Sequence, residues 1–203
     1  MLARYLGFHF LDSGALYRLL ALAAQRRGVA LDDESAVAAL SAELEIRFPA
    51  EAEGDRVLLG GEDVSDAIRT EAAGAGASRV AALPAVRAAL LDRQRRFRQA
   101  PGLVADGRDM GTVVFPDADA KIFLTASAVE RAKRRCKQLK EKGIPADFEN
   151  VLADIEVRDE RDAKRSVAPL RPAPDAELVD TSELDIAATI ERVRDLVNNR
   201  LNP

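Results

Sequence analysis

The sequence predicts an α/β protein: a parallel sheet with helices on both faces, carrying a small inserted α+β unit. Three observations predict it. Short apolar segments (FHFL, LVA, KIFL, ELV) alternate with longer stretches of helical period. Three of those segments run at their carboxyl ends into polar signals: Asp12-Ser13, Asp106-Gly107-Arg108-Asp109 and Asp180-Thr181-Ser182. Between about 45 and 65 the apolar period drops to two, in EIRFP and RVLLGGEDVS.

Each element follows from its own pattern. Leu2, Ala3 and Leu6 fall at helical spacing and run into Gly7, so the opening residues read as the final turns of a helix. FHFL reads as a short strand. A helix is predicted from Gly14 to Gln25 with Leu16, Leu19, Leu20 and Ala23 inward, and a second from about Glu34 to Leu44. The two alternating stretches, with Gly60-Gly61 between strand arms, predict a small antiparallel patch. Glu71 to Arg98 is helical and is broken at Pro84. LVAD and KIFL are buried strands. Ser127 and Glu130 have the spacing of a capping box and open a helix that runs to Lys142. Another helix runs from about Asp147 to Arg165. ELVD is the last strand, Asp180-Thr181-Ser182 reads as the cap of the final helix, and Ile186, Ile190, Val193 and Leu196 are placed inward. The residues from 34 to 93 read as the insertion.

Composition narrows the function. A chain of 203 residues suits one domain with an insertion, and 47% hydrophobic residues suffice for a core. The net charge of −4 implies no general attraction to nucleic acid or to an anionic membrane. The basic run RAKRRCKQLKEK is a poor nucleic-acid patch in a chain with only 4% aromatic residues to stack on bases. The sole cysteine, Cys136, excludes a disulfide framework and reads as a half-buried helix residue in a reducing compartment. No apolar run reaches membrane-spanning length and no signal-peptide core is present, so a cytoplasmic location is expected.

Nucleophilic catalysis is disfavoured because the sole histidine, His9, lies within a strand. Two other places carry the chemistry. In open parallel sheets ligands bind beyond the carboxyl ends of the strands, and GRDMG there holds two glycines that let a backbone approach a ligand. In IEVRDERDAKRSVAPL, Arg158, Arg161, Asp162 and Arg165 fall at i, i+3, i+4 and i+7, on one helical face. Three guanidinium groups in a stripe suit phosphate, which arginine grips bidentately. An ion-pair ladder with Asp159 and Glu160 is the structural alternative. Arginines and aspartates at the polar end of a sheet are the equipment of phosphoryl transfer, which needs charge and alignment more than covalent chemistry.

LDSGALYR, SRVAALPAVRAALLDRQRRFR, PGLVADGRDMGTVVFPDADAKIFLTAS and VRDERDAKRSVAPL, in that order, resemble the bacterial cytidylate kinases. The resemblance implies the nucleoside-monophosphate kinase variant of the P-loop fold, with a core of residues 1–33, 94–130 and 166–203, a CMP-binding insertion of 34–93 and a lid of 131–165. It implies transfer of the γ-phosphoryl of ATP, with Mg²⁺, to CMP or dCMP. Ser13, Tyr17 and Arg18 would line the CMP pocket, with Arg18 at the phosphate. Ser78, Arg87 and Asp109 would surround the base. Arg108 and Arg165 would reach phosphate, and Arg158 and Asp162 would hold the ribose hydroxyls. Arg108, Arg161 and Asp12 are the catalytic candidates, with Arg161 at the transferred phosphoryl. No residue is implied as a direct metal ligand. A monomer is expected.

The sequence departs from this family in one respect. The fold calls for G-x-x-x-x-G-K-[ST], whose backbone amides cradle the ATP phosphates and whose Lys and Ser/Thr serve phosphate and Mg²⁺. None of the twelve glycines is followed by lysine. The expectation is therefore a kinase without its first strand, its P-loop and part of its first helix, through a start placed at an internal methionine or through truncation. A chain that binds CMP without transferring phosphate is the alternative.

Overall fold

The computed structural model describes residues 1–47 and 56–201. Phe48 and Pro49 of the predicted EIRFP strand lie outside the described residues. The chain forms two compact units, one of Gly7–Arg108 and one of Met1–Leu6 with Asp109–Pro203.

The first unit opens on strand β1 (His9–Asp12), which runs straight into helix α2 (Ser13–Arg26). The Asp12 carboxylate accepts from the Ala15 N–H at 2.9 Å, so the strand's last side chain caps the helix. Helix α1 (Leu2–Leu6), which belongs to the second unit, ends at Gly7 with φ 68°, the left-handed turn the sequence predicts. Helix α3 (Glu34–Ala42) is capped by Asp33. Strands β2 (Ile46–Arg47), β3 (Leu58–Leu59) and β4 (Glu62–Asp63) form the small antiparallel sheet. The turn between β3 and β4 is Gly60-Gly61 with φ 57° and 84°, a two-residue connection in which both positions need a positive φ. Helices α4 (Glu71–Val80) and α5 (Pro84–Arg95) follow, separated at Pro84 as predicted. Strand β5 (Leu103–Asp106) then pairs in parallel with β1, placing Asp12 opposite Asp106.

The predicted inward face of α2 is correct: Leu16, Leu19 and Leu20 are fully buried and Ala23 nearly so. Around Leu20 the core of this unit gathers Val37, Leu40, Val80, Val86 and Leu90 from α3, α4 and α5. Gly76 belongs to this packing, because a Cβ there would lie 3.1 Å from the Ala21 methyl on α2.

In the second unit a five-residue π-helical turn, Met110–Val114, follows Asp109. Strand β6 (Ile122–Thr125) pairs in parallel with β7 (Glu177–Asp180). Lys121 holds the entrance to both: its Nζ donates to the Pro116 carbonyl at 2.6 Å and to Asp175 at 2.8 Å. Helix α6 (Ala128–Glu141) starts on Ser127, whose hydroxyl accepts from the Glu130 N–H, and packs on α7 (Phe148–Lys164). Helix α8 (Ile186–Leu201) closes the unit.

Three expectations are corrected. Among the described residues the parallel strands form two separate pairs, β1–β5 and β6–β7, rather than one hydrogen-bonded sheet. Each strand is four residues long and uses one edge on a single partner, and a two-stranded ribbon leaves faces uncovered. Phe10, Leu124 and Leu178 are accordingly more than half exposed. Asp180-Thr181-Ser182 does not cap α8; Asp185 does, accepting from the Ala188 N–H at 2.8 Å. Thr181 is used instead to donate to the Thr125 carbonyl, and the Ser182 hydroxyl accepts from the Ser127 N–H. Ile186 therefore sits at the very start of α8 and is 74% exposed, while Val197 supplies the buried position.

Leu90 is fully buried where α5 meets the core of the first unit. Leu90→Ala is expected to cost about 2–5 kcal/mol by leaving a cavity. Urea denaturation followed by circular dichroism measures it, and a loss under about 1 kcal/mol would contradict this packing.

Candidate functional site

The carboxyl ends of β1 and β5 bring Asp12 and Asp106 side by side, with Arg18 and Arg108 close enough to act on Asp106. Asp106 is exposed by surface area, yet the protein atoms crowded around its strand end are the largest influence on it and raise its pKa above the ordinary carboxylate value, a rise that solvent screening keeps small. The Asp12 carboxylate raises it further, and Arg108, the Gly107 N–H and Arg18 pull it back. Arg18 donates weakly to the Ile68 carbonyl at 3.3 Å, and its Nε is a buried donor with no hydrogen-bond partner. A buried guanidinium N–H left unsatisfied by the protein fits an anion.

One turn away, α2 meets α5. The Ser13 hydroxyl donates to Oε1 of Gln94 at 2.6 Å, with both side chains buried. Four residues on, the Tyr17 ring lies under the Arg87 guanidinium at 5.7 Å, a cation–π contact. Arg87 is buried and donates to the Ala81 carbonyl at 3.1 Å. Ser78 is buried on α4 beside Ala77, which belongs to the same core as Tyr17. The first unit thus brings together Ser13, Tyr17 and Arg18 of α2 with Arg87 of α5, and Ser78 lies on the neighbouring α4. Arg108, at the end of β5, is exposed.

The second unit holds the rest. Asp109 is buried at the head of the π-helical turn, and its carbonyl accepts from the Val113 N–H at 2.9 Å. On α7, Asp162 is buried between Arg158 and Arg165, with each guanidinium 3.9 Å from its carboxylate. The Leu170 N–H returns to the Asp162 carbonyl at 2.9 Å, fixing the chain just beyond the helix. Arg161 lies on the same helix, half-buried. The ion-pair ladder with Asp159 and Glu160 is not formed. Asp159 takes a bidentate grip from Arg131 of α6, and Glu160 pairs with Lys164 at 2.5 Å. The acids that would have neutralised the arginine stripe are committed elsewhere, and Asp162 is the carboxylate set among those arginines.

Sequence reasoning missed Gln94. It sits in a run of charged residues, DRQRRFR, and only its spacing of seven from Arg87 on the helix could have marked it as inward. It also missed Arg131, the clamp between α6 and α7, and Arg134, which donates to the Thr181 and Leu184 carbonyls. Cys136 is a free, half-buried helix residue, as expected. It borders an open groove of about 590 Å³ with Lys133, Lys137, Lys140 and Phe148, and none of the predicted site residues lines that groove. Among the described residues no cluster of three or more His, Cys, Asp or Glu could hold a metal ion, and no helix is long and apolar enough to cross a membrane.

The cytidylate kinase family profile matches residues 1–199. The chain belongs to the cytidylate kinase family. It is 62% identical over 195 residues to the cytidylate kinase of Pseudomonas paraeruginosa, covering 95% of this chain and 85% of that one. The cytidylate kinase of Azotobacter vinelandii is 57% identical over the same shares. That of Aeromonas hydrophila is 59% identical over 92% of this chain and 81% of its own. The protein is thus a nucleoside-monophosphate kinase by family, and the P-loop kinase fold comes with that membership.

Asp106 gives this site a pH signature. Its folded pKa is raised above the ordinary 3.8, so the folded state disfavours the charged form. The resulting destabilisation is absent below 3.8 and present once the pH passes the raised value. Asp106→Asn is expected to increase stability at about pH 7 in buffer containing a chelator, with the gain shrinking as the pH is lowered towards 3.8. Urea midpoints across that range measure it; a gain independent of pH would show that the carboxyl charge is not the cause.

Proposed function

We propose that the protein phosphorylates CMP or dCMP at the expense of ATP. The observation that carries this reading is the buried polar cluster of Ser13, Tyr17, Arg87 and Gln94, with Ser78 on the neighbouring α4 and Arg18, whose Nε has no hydrogen-bond partner, on the same α2. Buried serines and a buried arginine offer directional partners to a pyrimidine base, and Arg18 offers charge to its phosphate. Relatives of this identity carry the name cytidylate kinase, which agrees with that chemistry.

In this reading Ser78, Arg87 and Asp109 recognise the base. Cytosine presents an amino donor beside two acceptors; a carboxylate or hydroxyl takes the donor, and arginine serves the acceptors. Uracil sets a carbonyl where the amino group stands, and would meet Asp109 acceptor to acceptor. A site built around a polar partner rejects such an analogue by up to about 10⁴-fold. Arg18, Arg108 and Arg165 hold the CMP phosphate, and Arg158 and Asp162 hold the ribose hydroxyls. Arg161 carries developing charge at the transferred phosphoryl, where an arginine is worth about 10³-fold or more in rate. Asp12 stands at the strand end beside Asp106. Mg²⁺, when bound with ATP, neutralises phosphate charge. Residues 34–93 act as the nucleotide-binding insertion and residues 131–165 as the lid, in a monomer of the cytoplasm.

These 203 residues contain no G-x-x-x-x-G-K-[ST]. In our reading they therefore bind CMP while transferring phosphate at a negligible rate unless a segment with that motif is supplied. Calorimetry on the 203-residue chain is expected to show CMP bound more tightly than UMP, with the preference narrowed about tenfold or more by Asp109→Ala. Equal affinity for CMP and UMP would sink the assignment. ADP formation by these 203 residues with CMP and Mg-ATP is expected at a negligible rate. Turnover at the about 1–100 s⁻¹ usual for kinases would refute the role given to the motif.

The lid reading has its own check. Backbone amides of α7 are expected to exchange more slowly with deuterium once the chain is saturated with CMP and an ATP analogue. Unchanged exchange from Phe148 to Lys164 would reduce the arginine stripe to a static surface.

A further inference from the structure

We infer that Arg131 and Asp159 are positioning residues for the ribose: by gripping Asp159 from α6, Arg131 sets the rotation of α7 about its own axis, and with it the directions of Arg158 and Asp162. The inference rests on the assignment of Arg158 and Asp162 to the ribose hydroxyls made above, and it adds two side chains to which that reading gives no task.

A surface helix is usually oriented by an apolar stripe buried against its neighbours. Helix α7 lacks a fully buried one: among its described residues only Asp162 is buried, and Val151, Leu152 and Ile155 are half-buried. Apolar contact is non-directional, so half-buried aliphatic side chains fix a distance better than a rotation. Directional contacts to another element are needed, and Arg131 supplies one. Its Nη1 donates to Oδ1 of Asp159 at 2.9 Å and its Nη2 donates to Oδ2, a two-pronged pair in which the guanidinium and carboxylate planes must align. The third donor of the same group, Nε, reaches the Ala126 carbonyl at 3.1 Å, just beyond β6. One turn along α6, Arg134 donates to the Thr181 and Leu184 carbonyls beyond β7. Helix α6 is therefore anchored at the ends of both strands, and the Arg131 fork carries that anchorage to α7. Arg158 and Arg165 approach Asp162 within the helix and its cap, and Lys164 pairs with Glu160 in the same way; contacts inside one helix do not orient it against another.

The grip lands beside the residues it directs. Asp159 follows Arg158 in the chain and stands one turn before Asp162. At about 3.6 residues per turn, the three side chains lie within about 100° of one another around the axis. With side-chain tips about 5–6 Å from the axis, a turn of about 20° carries each of them about 2 Å. Hydrogen bonds keep to about 2.7–3.2 Å, so such a shift parts Arg158 and Asp162 from hydroxyls whose place is set by the base and the phosphate. A nucleotide without those hydroxyls does not register the shift.

The test is calorimetric titration of CMP and of 2′,3′-dideoxy-CMP, which lacks both ribose hydroxyls, into the 203-residue chain and into Asp159→Asn, Arg131→Gln, the double variant Arg131→Gln/Asp159→Asn and Asp159→Glu. Asp159→Asn keeps the volume and removes the charge and one of the two acceptors; Asp159→Glu keeps the carboxylate. The expected result is a preference for CMP over the dideoxy nucleotide reduced about tenfold in Asp159→Asn and in Arg131→Gln, no further reduction in the double variant, unchanged affinity for the dideoxy nucleotide, and a preference retained in Asp159→Glu. A pair that merely stabilises the fold would weaken both nucleotides alike and leave their ratio unchanged, which would overturn the inference. A double variant that loses about a further tenfold would show the two side chains acting separately and would overturn it too. Should Asp159→Asn or Arg131→Gln fail to fold, Arg131→Lys decides, because it keeps the charge and removes the fork: an undiminished preference there overturns the inference. If the unsubstituted chain binds CMP and the dideoxy nucleotide equally, the ribose assignment itself has failed and this inference falls with it.

Discussion

The parallel register of β1 and β5 is the constraint on which the first unit depends. Setting Asp12 opposite Asp106 ends both strands at the same level and places two carboxylates at one edge. Asp12 then does a second job, accepting from the Ala15 N–H and starting α2 without a connecting residue. Because the helix begins at Ser13, its phase is fixed. Ser13 and Tyr17 face α5, Leu16, Leu19 and Leu20 face the core, and Arg18 emerges beside the strand ends. A slip of one residue in the strand would turn its side chains to the opposite face and carry α2 with it. The candidate site is thus a consequence of strand register passed into helix phase.

The same economy explains the second unit. Arg131 and Asp159 join α6 to α7 through a bidentate pair, and Arg134 ties α6 to the turn after β7. Exposed ion pairs contribute little, but a two-pronged arginine pair that is two-thirds buried fixes a relative rotation as well as a distance. With Asp159 turned to α6 and Glu160 to Lys164, Asp162 stands buried between Arg158 and Arg165, each 3.9 Å from its carboxylate.

Much of this was legible in the sequence because it rests on local rules. Gly60-Gly61 announced a turn that needs two positive φ angles, Ser127 announced a helix start, and the three-and-four spacing of Leu16, Leu19 and Leu20 announced a core face. Ser13, Tyr17 and Arg18 fall within two turns of α2, and Arg87 reaches Tyr17 from α5. What failed was long-range. Asp180-Thr181-Ser182 has the composition of a cap, yet Thr181 reaches back 56 residues to the Thr125 carbonyl, and the cap moves to Asp185. Cap chemistry tells which residue types can end a helix; it does not tell which of two nearby candidates has been recruited elsewhere. The continuous parallel sheet was likewise a tertiary inference from strand-like runs, and pairing between strands is not encoded in any one of them.

Gln94 shows the same limit from the other side. A glutamine amid aspartate and arginines reads as surface, and its burial against Ser13, 81 residues away, is not written in its neighbours. Burying an amide costs more than burying a methionine of equal length unless its partners are supplied, and the Ser13 hydroxyl supplies one. Leu90, one turn earlier on α5, is fully buried in the core shared with α3 and α4. The buried face of α5 is therefore mixed: Leu90 packs in the apolar core, and Arg87 and Gln94, on either side of it, reach Tyr17 and Ser13.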